Sequence, residues 1–511
     1  MAILIKYLLF YLLFMQQIIP IFNIKNEKII SNNSHIIIKI NKMGNNNILY
    51  SGFKSLPLFQ PPDEIYINDK IQDKIEDRYD LNETKNIIKL VWHKEINNSE
   101  YMFMNCYDII EIDLSSFNST NIYSMYSMFN ACTSLEYINF TNFDTAKVKN
   151  MSSLFFKCYL LISLDLSGFN TSEVTNMFDM FDKCKKLASL DLSNIDTSKV
   201  TNMGRIFLDC FTLSSLNLTN FNTSQVANME NMFCNCESLT SLNLTNFNTS
   251  QVTNMDSIFY GCKLLKSLNL SNFDTSKVTN MKRAFSNCGT LETLNLSNFM
   301  TSQVISMEYM FANCNKLKLL DLSNFNTSKV TTMENMFFTC KALTSLDLSN
   351  FDFSSVGNVK KMFSKCQNLE YLNIKNFFIK ESMNYDQIFN DPSNNLKICA
   401  IKDNILLLLN GGTTINENML IDDCYKGIDL ITENMNTFNF HNGTNTLVTE
   451  SIAFDKSKNE ISEGLNIIEK TEIKTEENYE LICSKEFPYL IIDKKVCIKK
   501  CNIIDIRNNI K

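Results

Sequence analysis

At 511 residues the chain has room for three or four average domains, or for one long repetitive one. Its 12 glycines are well under the usual ~7%, which disfavours the glycine-dependent phosphate loops of nucleotide-binding folds. A net charge of −7 disfavours nucleic acid as a partner, and a chain that is 45% hydrophobic folds, leaving 17 cysteines and 69 asparagines as the excesses to explain.

Residues 1–22 carry one lysine, Lys6, ahead of the apolar runs Tyr7 to Phe14 and Ile18 to Phe22. That is the outline of a secretory signal peptide, with an uncleaved signal anchor as the alternative and the one expected tie to a membrane. The first cysteine is Cys106, too far along for a lipid attached after the signal, and Ile503 to Lys511 is not the apolar tail of a lipid-anchor signal. A secreted or cell-surface protein is the expectation. Residues 23–85 form a β-rich N-terminal cap. Ser34 to Ile40 and Gly44 to Leu49 read as a hairpin, and Pro61-Pro62 breaks the chain before Glu64 to Ile67. Asn86 to Trp92 reads as a first strand that covers the open edge of a stacked array.

From Cys106 to Cys366 a cysteine recurs every 26 residues without an insertion. Phenylalanine sits three before each and methionine seven before most, so residues 86–380 are a repeat array. In one unit Met255, Ile258, Phe259 and Cys262 follow i, i+3, i+4, i+7, one face of a short helix with Thr253 or Asn254 as its cap. Leu268 and Leu270 then keep period two, a short strand, and Asp274-Thr275-Ser276 is a side-chain-capped turn. One unit cannot bury its apolar side alone, whereas stacked units can, each strand beside the next at about 4.8 Å. The expected fold is an α/β solenoid of about eleven strand-turn-short helix units. The repeated cysteine lies on the buried stripe, which makes it a small packing residue and a free thiol, not a metal ligand.

Beyond the repeats, residues 381–425 form a C-terminal cap with Leu396 to Leu409 as terminal strands. Cys399 and Cys424 are the candidate disulfide that staples it. Residues 426–477 are a polar spacer, and residues 478–511, with Cys483, Cys497 and Cys501, a short cysteine-containing module.

Leu343-Thr344-Ser345-Leu346-Asp347-Leu348 resembles the strand segment of a leucine-rich repeat. The preceding Met336-Phe337-Phe338-Thr339-Cys340 is similar to the BspA-like leucine-rich repeats, surface proteins of bacteria and protists with relatives among mycoplasma surface lipoprotein repeats. The resemblance covers about residues 86 to 380 and implies surface display and attachment to host or matrix molecules, with no catalytic residues. It departs from the general pattern three after the last leucine, where that pattern has an asparagine and this chain has Phe273, Phe299, Phe325 and Phe351; a phenylalanine spine is expected to replace the asparagine ladder.

The outward strand positions give an Asp/Asn column and a mostly serine column, a flat polar face suited to an extended protein or glycan ligand. Asp165, Asp191, Asp321 and Asp347 belong to the first; Glu111, Tyr137, Leu319 and Tyr371 interrupt the second and are the candidate contacts. The aspartate pairs are a weak calcium signal, so no metal and no cofactor are expected. Asn82, Asn97 and Asn442 are the candidate glycosylation sites. Three scattered histidines offer no triad, so an enzyme is not expected. Adhesion or recognition through the strand face is the leading function, with a non-binding spacer or coat component as the alternative; neither points to an oligomeric state.

Overall fold

The computed structural model describes residues 34–405, 415 and 417–421, and, in a second unit, the strands Glu480–Ile482, Leu490–Ile491, Val496–Cys497 and Asn502–Ile504. Residues 1–33, and with them the signal segment, lie outside the described residues.

Six strands precede the repeats: β1 (Ser34–Ile40), β2 (Gly44–Asn47), β3 (Glu64–Ile67), β4 (Lys70–Ile71), β5 (Arg78–Leu81) and β6 (Asn86–Trp92). The first two rungs of the repeat array come next, β7 (Ile109–Asp113) and β8 (Tyr137–Asn139), and one sheet runs β4-β3-β6-β1-β7-β8. The expected hairpin of β1 with β2 does not form. β1 pairs antiparallel with β6 on one side and β7 on the other, and β2 pairs with β5. Ile36, Ile38 and Ile40 explain the choice: all three are fully buried, which a central strand provides and an isolated hairpin does not. Asn86–Trp92 is a strand as expected, but β1 lies between it and the first rung.

The repeats form a β-solenoid. Its rungs continue as β9 (Ser189–Asp191), β10 (Ser215–Asn217), β11 (Ser267–Asn269), β12 (Thr293–Asn295), β13 (Ser345–Asp347), β14 (Tyr371–Asn373), β15 (Lys397–Cys399) and β16 (Leu420–Ile421). Pairing between rungs is parallel and in register, Leu268 beside Leu294 and Leu346 beside Leu372, as stacking of equal units requires. The rung sheet breaks at 163–165, 241–243 and 319–321. The uninterrupted column lies elsewhere, in ten parallel bridges from Ser124 through Asn150 and Asn254 to Asn384.

The α part of the expected fold class is overturned: no α-helix occurs among the described residues. In place of the expected helix, the chain makes two four-residue turns, with left-handed residues at Ser257 (φ 55°) and Gly261 (φ 72°). Alternate N–H groups have different destinations. Those of Met255, Ser257, Phe259 and Gly261 donate across to the carbonyls of Asn280, Lys282, Ala284 and Ser286 in the next coil, at 2.8–3.1 Å. Those of Ile258, Tyr260 and Cys262 close turns onto the residue three before. A helix would spend every N–H within itself and leave none for the neighbouring coil. Over two turns a period of 4 and a period of 3.6 place the same residues inward, so Met255, Ile258, Phe259 and Cys262 are buried as predicted, in a different backbone.

The left-handed pair recurs from Tyr101 and Asn105 to Gln387 and Asp391, about twelve coils, and Gly261 is its single glycine. A non-glycine residue there costs about 1–2 kcal/mol, which the cross-coil hydrogen bonds offset. The coil geometry thus continues past residue 380, with Met383, Ile388 and Phe389 buried in the inward positions.

Side chains stack in columns through the core. Twelve phenylalanines from Phe103 to Phe389 lie ring on ring with centroids 5.4–5.9 Å apart. The expected spine forms as shorter stacks at 6.3–6.4 Å, Phe221 through Phe247 to Phe273 and Phe299 through Phe325 to Phe351, with Phe299 tilted against Phe285 of the first column. It does not replace an asparagine ladder. The asparagine one residue earlier in most coils supplies that ladder: Asn272 Nδ2 donates to the carbonyls of Leu244 and Phe247 at 2.9 and 2.8 Å, and Asn350 to those of Leu322 and Phe325 at 3.0 and 2.9 Å.

The threonine of each Asp/Asn-Thr-Ser turn is buried and bridges coils. Thr223 Oγ1 donates to the carbonyl of Asn248 and accepts that residue's N–H, both at 2.8 Å. Thr223→Val leaves both partners unsatisfied in the interior and is expected to cost about 2–4 kcal/mol, against about 1 kcal/mol for Thr223→Ser. Urea midpoints of the two variants check the difference; equal midpoints would remove the hydroxyl's role.

Candidate functional site

The strand face is built by rungs whose inward leucines are buried, or partly so at Leu164, Leu216 and Leu242, and whose flanking residues are largely accessible except Ser345, Tyr371 and Asn373, which are buried. Its Asp/Asn column has a local purpose at each of eleven rungs from Asp113 to Asn373. One carboxyl or amide oxygen accepts the N–H two residues on and ends the strand, as in Ser167 to Asp165 at 2.9 Å and Ser271 to Asn269 at 3.1 Å. Hydrogen bonds from Ser167 hold Asp165 below the usual carboxylate range, and those from Ser193 do the same for Asp191. Among the described residues no group of acidic, cysteine or histidine side chains is placed to hold a metal ion.

The candidate contacts fall in two places. Glu111 and Tyr137 are directly paired across β7 and β8, with Asp165 on the following rung. Glu111 also accepts an ion pair from Lys39 of β1 at 2.5 Å. Tyr137 is 40% exposed, and its hydroxyl titrates above the usual range, through partial burial first and then the charges of Asp113, Asp165 and Glu111. Asp191 is exposed and accepts Asn217 Nδ2 at 3.0 Å. Leu319, Asp321, Asp347 and Tyr371 lie several rungs further on. Leu319 and Asp347 are half-buried and Asp321 exposed, but Tyr371 is fully buried on β14, an interior rung between β13 and β15, so its ring offers no outward contact.

Cys106 and the ten cysteines that repeat after it are free and buried. From Cys132 to Cys366 each Sγ–H donates to the carbonyl of the phenylalanine 29 residues before, in the preceding coil, at 3.1–3.3 Å. Burial pushes these thiols up, Cys288 and Cys366 to about 12. They are therefore neutral donors, not thiolate ligands. Thiol reagents should leave the ladder untouched in the native protein and label it once denaturant opens the coils; prompt native labelling of all eleven would overturn this placement. Cys399 is buried at the end of β15 and stands apart from these free thiols, while Cys424 lies outside the described residues. Asn82 and Asn97 are exposed before the first coil; Asn442 lies outside the described residues.

The left-handed turns create a second face that sequence reading misses, because the periodicity there predicts a helix. Its side chains differ from coil to coil where the strand face is monotonous. Two features stand out. Asp182 is buried (1% exposed) between coils that carry Phe156 and Leu208 at the same position, and its carboxyl is pushed up to about 7, burial outweighing Lys183 at 3.4 Å. Asp179 beside it is pushed up to about 6 by burial, against the pull of Arg205 and Lys183. The second feature is an open depression of about 410 Å³ spanning four coils and lined by residues that include Tyr260, Arg283 and Tyr309.

The family described as "Mycoplasma protein of unknown function, DUF285" matches residues 79–186, 161–243, 237–319 and 285–399, together more than half of the chain. No curated protein matches. Among solved structures the chain is similar to a leucine-rich repeat protein of T. pallidum, at 14% identity over 44% of this chain and 73% of that one, with a TM-score of 0.19. It is also similar to TLR13 in its complex with ssRNA13, at 15% identity over 63% and 52%, TM-score 0.23. A third is the functional domain of InlJ from Listeria monocytogenes, which includes a cysteine ladder, at 18% identity over 60% and 68%, TM-score 0.15.

Proposed function

The chain belongs to the DUF285 repeat family, and we infer that it is a solenoid scaffold displayed outside the cell that binds protein or glycan partners along its strand face. The observation that carries this reading is the amino-terminal end of that face. There Tyr137 stands 40% exposed beside Glu111, Asp113 and Asp165, an aromatic body ringed by acceptors and held by a rigid sheet. Many weak contacts along equal rungs, rather than one deep pocket, would supply affinity. The resemblance of the Met-Phe-x-x-Cys segments to BspA-like surface repeats, and the signal-like residues 1–22, support an extracellular place. In that setting Asn82, Asn97 and Asn442 are glycan acceptors and Cys399 pairs with Cys424. The chain needs no cofactor and is not an enzyme.

Glycan and matrix-protein arrays probed with the full chain and with Tyr137→Ala test the reading. Binding that Tyr137→Ala weakens about tenfold is expected, the loss of one aromatic anchor. Absence of any bound ligand, with self-association in solution, would favour the spacer or coat component instead.

A further inference from the structure

We propose that the depression on the turn face is a binding site for a carboxylate-bearing sugar, a uronic acid unit of a glycan, with Arg283 as its anion receptor. The site lies away from the strand face and does not depend on the function inferred for it.

Arg283 differs from its counterpart three coils earlier. Arg205 has Glu230 of the next coil within 3.7 Å. The residue that would serve Arg283 in the same way is Glu308, but Lys282 takes that carboxylate at 2.9 Å. The other carboxylates of this stretch are also engaged: Asp256 accepts Ser257 Oγ at 2.7 Å and Asn280 Nδ2 at 3.3 Å, and Glu230 accepts Asn254 Nδ2 at 2.9 Å. Arg283 is thus a half-buried residue whose guanidinium has no carboxylate partner among the described residues, and its Cζ lies 5.4 Å from the centre of the Tyr309 ring. The guanidinium is planar by its own delocalisation, and contact with the ring restricts where its fork of N–H donors points, ready to receive a carboxylate through two parallel hydrogen bonds.

The rest of the lining suits a sugar better than a simple anion. Tyr260 and Tyr309 supply aromatic surface for the C–H face of a pyranose ring, and the volume falls within the ~300–1,000 Å³ of small-molecule sites. Asn313 Nδ2 donates to Asn287 Oδ1 at 2.8 Å, which leaves Asn287 with amide hydrogens and Asn313 with an amide oxygen to meet hydroxyl groups. Asn231, from an earlier coil, adds a further amide at the rim.

Titration of the full chain with oligogalacturonate, its neutral methyl ester and poly-glutamate tests the proposal, alongside the variants Arg283→Gln and Glu308→Gln. Oligogalacturonate should bind, the methyl ester at least tenfold more weakly, and Arg283→Gln should lose about tenfold or more in affinity. Glu308→Gln removes a negative charge adjacent in sequence to the lining residue Tyr309 and should tighten binding severalfold, a gain that misfolding cannot produce. Equal binding of the ester, unchanged affinity of Arg283→Gln, or no gain in Glu308→Gln overturns the site. Equal binding of poly-glutamate overturns the sugar assignment in favour of an acidic peptide.

Discussion

Phe233→Ala is expected to destabilise the solenoid by about 3–5 kcal/mol, the cost of removing a large fully buried side chain without collapse of the space it leaves. The ring lies between Phe207 at 5.7 Å and Phe259 at 5.5 Å, so its loss opens both stacks at once. Because each coil touches only its neighbours, the damage should stay local. Amide exchange would accelerate over the coils carrying Phe207, Phe233 and Phe259 before it changes near Phe103 or Phe363. Phe103→Ala removes one stack instead of two and should cost less. Uniform acceleration along the whole chain would show that the coils unfold as one cooperative block, and the nearest-neighbour account would fail.

Raising the pH from about 4 to about 8 should weaken the coil that carries Asp182, and Asp182→Asn should abolish most of that loss. The unfolded chain releases this proton near the ordinary value of 3.8, whereas the folded chain holds it up to about 7. Stability from this group is therefore complete below pH 4 and disappears as the pH climbs through 7. That separation corresponds to about 4 kcal/mol as an upper figure, with the opposing pull of Lys183 already included. Arg205, Lys183, Asp179, Asp209 and Glu230 are charged groups that share this surface, and Asp179 acts in the same direction. The strand- and turn-capping carboxylates act oppositely. Serine hydrogen bonds hold Asp165, Asp196 and Asp274 below the usual range, so what they contribute is lost as the pH falls through that lowered range. Urea midpoints across this range, for wild type and Asp182→Asn, read the slope. A flat wild-type profile would place the proton elsewhere.

Much of the repeat was legible because its spacing is strict. The inward positions Met255, Phe259, Cys262, Leu268, Leu270, Phe273 and Val278 are all buried, the Asp274 turn is capped by its own side chain, and the ladder cysteines are free. What escaped was the backbone between them. Burial periodicity reports which side of the chain is wet, and a succession of four-residue turns wets the same positions as a helix. The distinguishing signal was weak and lay in outward residues such as Asn235, Asn287 and Asn313, a type that tolerates left-handed φ, mixed with lysine and arginine that do not advertise it. The consequence for the candidate sites was direct. The sequence pattern points to the strand face, whose asparagines and aspartates are largely occupied in ending strands, and reads the more varied turn face as a helix. The expectation that phenylalanine replaces the asparagine ladder fails for a related reason: Asn272 and Phe273 are adjacent, and both residues stack or bond from coil to coil.

The hydrogen bonds that run from each coil to the residue 25 positions ahead make the 26-residue step a unit of heredity as well as of structure. A duplication or deletion of one whole unit by recombination between near-identical stretches restores every bond at the junction, whereas loss of a single codon misaligns the phenylalanine, threonine and asparagine columns together. The coil array can thus lengthen or shorten in increments of about 5 Å, and its most changeable inherited property should be the number of coils it carries.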